Sequence, residues 1–110
     1  MAKKPETVFK EKVASFLKTL PNCFYEKVQQ VAIVGSLDFT IVVSGIPILM
    51  ELKKSSKDKL SAIQQHKAEK WQRCGALVIE ACPENWDRVR TLLEEISRQK
   101  FKPWSVVCLK

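Results

Sequence analysis

Glycine and histidine are both scarce in this chain: three glycines and one histidine in 110 residues. The lone histidine, His66, is read as a surface helix residue rather than a catalyst. The four cysteines, Cys23, Cys74, Cys82 and Cys108, show no CxxC spacing. They do not resemble a zinc site, and they read as reduced thiols, some packed in the core as small apolar groups. No apolar run reaches the ~18 residues a membrane-spanning helix needs. The N-terminus, MAKKPETVFK, is basic but has no apolar segment of the kind a secretory leader carries, so a cytoplasmic location is the expectation. No repeat or low-complexity stretch interrupts the sequence.

Acidic residues are the sparser charge, with 12 against 19 basic residues and a formal net charge of +7. Residues 53–70 hold six lysines against Asp58 and Glu69, while residues 84–98 hold four acids and three arginines. The positive surplus therefore lies in the middle of the chain and at its two ends. A polyanionic partner would account for it, and so would an ordinary lysine-rich solvated surface; charge alone does not decide.

A length of 110 residues predicts a single domain over 1–110, with a loose basic start at 1–5. Phe9, Val13, Phe16, Leu17 and Leu20 recur at helical spacing over residues 6–20, and Pro21-Asn22 ends that helix. KVQQVAIV, residues 27–34, alternates enough to predict a first strand before Gly35-Ser36. Two apolar runs, 39–43 and 46–50, flank Ser44-Gly45, a strong hairpin signal. Residues 54–59 read as a charged loop. Ser61 is a candidate N-cap for a helix to about residue 73 or 74, with Gly75 as its stop. ALVIEA, residues 76–81, predicts a strand. Pro83 suits a first helical turn, and Trp86, Val89, Leu92, Leu93 and Ile96 mark a last amphipathic helix. Trp71 and Trp86 sit at core spacing. The tail, 99–110, contains a β-prone piece at 104–109, a candidate edge strand or contact with a second subunit. The helix at 61–74 joins the hairpin to the next strand as a crossover, which calls for parallel strands and a mixed sheet.

The hairpin carries the chemistry. If Val43 pairs with Ile46, Asp38 falls opposite Glu51, and Lys53 projects from the same face as Glu51. Like charges placed opposite each other are unfavourable. A divalent cation between them removes that penalty, and phosphodiester hydrolysis uses such a cation.

The pattern Asp38, Glu51, Lys53 resembles the PD-(D/E)XK nuclease superfamily, and the element order resembles its restriction-endonuclease-like αβββαβ core, an α/β fold. The chain looks most like the small stand-alone VRR-NUC nucleases of phages and bacteria. ETVFKEKV, GSLDFTIVVSGIPILMELKK, KLSAIQ and GALVIEACPENW carry the likeness, as do Gly35 before the aspartate, Ile63-Gln64 opening a helix, and Gly75 eleven residues after Gln64. Leu37 stands where that superfamily usually has proline, which implies a less rigid approach to Asp38.

The resemblance implies an endonuclease acting on DNA. Asp38, Glu51 and the backbone carbonyl of Leu52 would hold Mg²⁺ or Mn²⁺. Lys53 would orient the attacking water, and Gln64 would steady the lysine or the water. It also implies a glutamate from the first helix. At about 100° per residue, Glu6 shares the face of Val13 and Leu17 while Glu11 does not, so Glu6 is chosen. Lys54, Lys57 and Lys59 are candidate phosphate contacts. Branched DNA, four-way junctions above all, is the implied substrate, and a homodimer suits its two-fold symmetry. A nicking or flap nuclease of the same fold, or a non-catalytic nucleic-acid-binding protein, are the alternatives.

Overall fold

The computed structural model describes residues 3–28 and 35–108. In chain order the elements are α1 (Pro5–Thr19), β1 (Cys23–Lys27), β2 (Phe39–Val43), β3 (Ile46–Leu52), α2 (Ala62–Arg73), β4 (Leu77–Ala81) and α3 (Trp86–Ser97). The strands form one sheet in the order β1-β2-β3-β4. The first two pairings are antiparallel and β3–β4 is parallel, with α2 as the crossover. The chain is thus an α/β fold of order αβββαβα, with a mixed four-stranded sheet flanked by helices.

Ser44 and Gly45 have φ of 47° and 80°. Positive φ at both central residues defines the tight hairpin turn whose twist suits the flanking strands. Val43 pairs with Ile46 and Phe39 with Met50, the register the turn predicts. The tip is tied down. Ser44 Oγ and Asn22 Nδ2 donate to the Ser97 carbonyl at 3.0 and 3.1 Å. That carbonyl lies at the end of α3, where helical partners run out.

Alternation then sorts the side chains. Phe39, Ile41, Val43, Ile48, Met50, Ile79 and Ala81 face α1 and α3, meeting Phe9, Val13 and Leu17 from one helix and Trp86, Val89, Leu93 and Ile96 from the other. Phe9 and Phe16 each meet the Trp86 ring edge-on, with centroids 5.9 and 5.5 Å away. The opposite face has thinner cover: Ala68 is the buried residue of α2, and Leu49 is buried beneath that side.

Four expectations change, one of them Trp71, which is 46% exposed although its spacing predicts a core position. The first strand is Cys23–Lys27, earlier than the alternation at 27–34 indicated; residues 29–34 lie outside the described residues. Cys23 and Tyr25 point inward while Phe24 is exposed, so the apolar pattern there does not follow burial. The described part of the tail, through Cys108, forms no strand and is exposed. Pro83 sits in a turn before α3 rather than in its first turn. Among the described residues no helix is long and apolar enough to cross a membrane.

Ile48 is fully buried at the centre of the sheet. Ile48→Ala should therefore cost about 2–5 kcal/mol in denaturant unfolding, whereas Thr40→Ala, on the exposed face of β2, should stay within about 0.5 kcal/mol.

Candidate active site

Asp38 and Glu51 face each other across the open end of the β2–β3 hairpin, and each carboxylate holds the other's strand. Asp38 N donates to Glu51 Oε1 at 3.1 Å, and Leu52 N donates to Asp38 Oδ2 at 2.8 Å. These bonds continue the ladder where strand pairing ends. A strand residue's N–H and C=O project to the same side. The Leu52 carbonyl therefore faces the same edge as Asp38.

Three further donors converge on the pair. Glu51 Oε2 accepts from Gln64 Nε2 at 3.0 Å and lies 3.4 Å from Lys53 Nζ. Asp38 Oδ1 lies 3.8 Å from Lys10 Nζ. Burial pushes the Glu51 carboxyl above the usual glutamate range, and the neighbouring Asp38 charge pushes it further; Gln64 and Lys53 pull it partly back. The like-charge conflict foreseen from the register is thus present and only partly relieved by protein groups.

Gln64 reaches Glu51 because of how α2 starts. Ser61 Oγ accepts from Gln64 N, and Ser61 N donates to Gln64 Oε1, both at 3.1 Å. This is a capping box, which satisfies two orphan N–H groups at once. It occupies the amide oxygen of Gln64 and leaves the amide nitrogen for Glu51. Gly35, with φ of 82°, lies against the same turn: a Cβ there would come within 2.9 Å of Ile63 Cγ2 and 3.2 Å of Ile63 O. Gly35 and Ile63-Gln64, far apart in sequence, meet at this turn.

A cleft of about 600 Å³ opens beside Asp38, with Glu6, Lys10, Lys53, Lys54 and Lys59 among its lining residues. Glu6 pairs with Lys54 at 3.0 Å, which raises the Lys54 ammonium above its usual range. Glu11, the other acid weighed on α1, pairs instead with Lys3 at 2.9 Å. Lys57 does not line the cleft and lies near Glu84. Gln64 contacts Glu51 rather than Lys53, so it stands behind the carboxylate pair.

The basic loop between β3 and α2 is anchored by two acids that sequence reasoning missed. Glu84 accepts from Ser56 N, a bond that holds its carboxyl below the usual range, and Glu80 Oε1 accepts from Leu60 N at 3.1 Å. Neither has a local sequence signal, although Glu80 is the register partner of Glu51 on the parallel strand. Lys10 was also missed. Its position four residues after Glu6 places it on the same helical face, which could have found it.

Among the described residues no group of three or more His, Cys, Asp and Glu could hold a metal. The donor set on offer is two carboxylates and one carbonyl. No protein-family model, no curated protein and no solved structure matches the chain.

A carboxyl whose folded pKa is raised binds its proton more tightly in the folded state than in the unfolded chain. Its ionisation therefore costs stability, in full above the folded pKa and not at all below the unfolded one. Glu51→Gln should raise the thermal midpoint at pH ~7, by roughly a few degrees. The gap from the unsubstituted protein should close as pH falls through ~4.3. Differential scanning calorimetry across that range reads it; a gap that widens toward acid would show the opposite shift.

Proposed function

We propose that the chain is a metal-dependent DNA endonuclease of the PD-(D/E)XK type, most similar to the small stand-alone VRR-NUC nucleases, acting in the cytoplasm. The observation that carries this reading is the Asp38–Glu51 pair, with Lys53 against it, beside an open cleft rich in lysine. Neutral amides would accept the same two backbone bonds, so fastening the strand ends does not itself call for a like-charge pair.

The residues fit Mg²⁺ or Mn²⁺. Both ions take hard oxygen donors and keep several waters, so two carboxylates and the Leu52 carbonyl suffice from the protein. Burial, and after it the Asp38 charge, raise the Glu51 carboxyl; the Asp38 contribution is a like-charge conflict that a bound cation would relieve. When bound, the ion would supply a water of lowered pKa and offset charge on the phosphate.

The chain's own residues would do the rest. Asp38 and Glu51 are held by each other's backbone, so their oxygens are positioned before any ligand arrives. Lys53, with its side chain 17% exposed, is held by Glu51 with its ammonium at the cleft, where it can orient water and meet negative charge growing on the phosphate. Gln64 holds Glu51 in place. Glu6 and Lys54 form the opposite lip as an ion pair. Lys10, Lys54 and Lys59 line the same cleft and Lys57 lies outside it; Lys54, Lys57 and Lys59 are the proposed phosphate contacts.

Branched DNA is the proposed substrate and a homodimer the proposed assembly, since paired cuts at a two-fold junction need two such sites. The exposed tail residues Trp104, Val106 and Val107 support a contact between two copies.

Labelled four-way junction, flap and matched duplex, each incubated with Mg²⁺ or Mn²⁺, test the activity. Cleavage that requires the ion and falls about 10²–10³-fold in Lys53→Ala is expected. Binding measured without metal should persist in that variant. Undiminished cleavage in Lys53→Ala or in Asp38→Ala would refute the assignment. Light scattering at micromolar concentration, with and without junction DNA, should give twice the chain mass; a monomer in both would end the paired-cut proposal.

A further inference from the structure

Half of the sheet is covered on one face alone. The helix on the second face, α2, packs on β4, and Leu49 of β3 is buried beneath that side. The β1–β2 half of the same face is bare. Phe24, Val42 and Pro47 are register partners in one row across three strands. All three are exposed, Phe24 at 70% and Val42 at 45%. Alternation turns them away from the core, which takes Cys23, Tyr25, Ile41 and Val43 instead. Glu26, two residues after Phe24, lies on the bare face and has no ion-pair partner among the described residues.

The C-terminal tail leaves the body at the same end of the sheet. Phe101 lies against the hairpin tip: a Cβ on Gly45 would be 3.8 Å from Phe101 Cβ. The Phe24–Val42–Pro47 row is the first outward-facing row below that tip. Past Phe101 the described tail residues are exposed, Trp104 at 94% and Val106 completely. The stretch from 101 to 107 spans about 20 Å when extended. Proline fixes its own φ and favours extended backbone before it, so the Lys102-Pro103 step carries the chain onward from the tip rather than back over its own sheet.

We propose that the tail of one copy docks on the bare β1–β2 face of a second copy, and the second copy's tail on the first, in a two-fold exchange. The inference rests on the two-copy assembly proposed above and names the surfaces that form it; it does not depend on the chemistry of the cleft. Each surface matches the other. Lys102 stands two residues from Trp104 as Glu26 stands two from Phe24, so stacking the two rings brings opposite charges within reach. Two Trp104 and two Phe24 side chains, at about 150–250 Å² each, supply most of the ~1,000 Å² that a specific interface needs; Val42, Pro47, Val106 and Val107 add to it. The exchange closes on itself, because each copy gives one tail and takes one.

Sedimentation velocity of the full chain over a concentration series tests this. The unsubstituted protein should be a dimer. Trp104→Ser should weaken it about 30-fold per contact, hence about 10³-fold over the two, and Phe24→Ser should do the same. Both positions are exposed, so circular dichroism of either variant should match the unsubstituted chain. An equal mixture of the two variants retains one intact tail-to-sheet contact. It should form a mixed dimer about 30-fold weaker than the unsubstituted one, a recovery that docking within a single chain cannot give. If Phe24→Ser folds poorly, Glu26→Lys probes the same face: it should weaken the dimer, and Lys102→Glu in the same chain should restore it. A dimer unchanged in Trp104→Ser and Phe24→Ser overturns the inference and leaves the two-copy reading standing. Failure of the mixture to recover also overturns it. A monomer throughout sinks the inference and the two-copy assembly together, while metal-dependent cleavage by that monomer would still uphold the nuclease.

Discussion

The mutual grip of Asp38 and Glu51 is the constraint on which the rest depends. It exists only in one register of the β2–β3 hairpin. A slip of one residue would turn every side chain to the other face and point the carboxylates apart. The Ser44-Gly45 turn sets that register from the far end of the strands, roughly 17 Å away. Its tip is fastened through Ser97 to α3, and the face it organises is packed by α1 and α3. The hydrophobic core thus serves as a ruler that delivers two acids to one spot.

At that spot the structure accepts a local loss. Glu51 is buried, faces a like charge and is held away from its ordinary ionisation. Gln64, Lys53 and the Asp38 N–H compensate in part. Sites where local consistency fails are where function is expected. Each compensating group comes from a different kind of element: a helix start, a strand end and the approach to a strand. The conflict is therefore distributed over the fold.

The legible parts of the sequence were those with local causes. The hairpin followed from period-two alternation and turn chemistry, and α2 from an N-cap serine at Ser61 and a glycine stop at Gly75. The first strand was misplaced because Phe24 is apolar yet exposed, and an edge strand with one neighbour gives a weak pattern. Trp71 was misread because helical spacing reveals which residues share a face, not whether another element covers it. The anchoring acids Glu80 and Glu84 make contacts between distant segments, which spacing cannot disclose, whereas Lys10 had a signal in its four-residue offset from Glu6. For the candidate site, the hairpin signalled that Asp38, Glu51 and Lys53 would meet. The link from Gln64 to Glu51 needed the three-dimensional path of α2.

The loop after β3 takes its shape from main-chain amides bound by Glu80 and Glu84. Its lysines play no part in those two bonds. Geometry and charge are therefore encoded at separate positions, one set on β4 and the turn after it, the other on the loop. Selection can exchange the loop's cations for other side chains, and so retune adhesion to a ligand, while the scaffold that presents them stays unchanged.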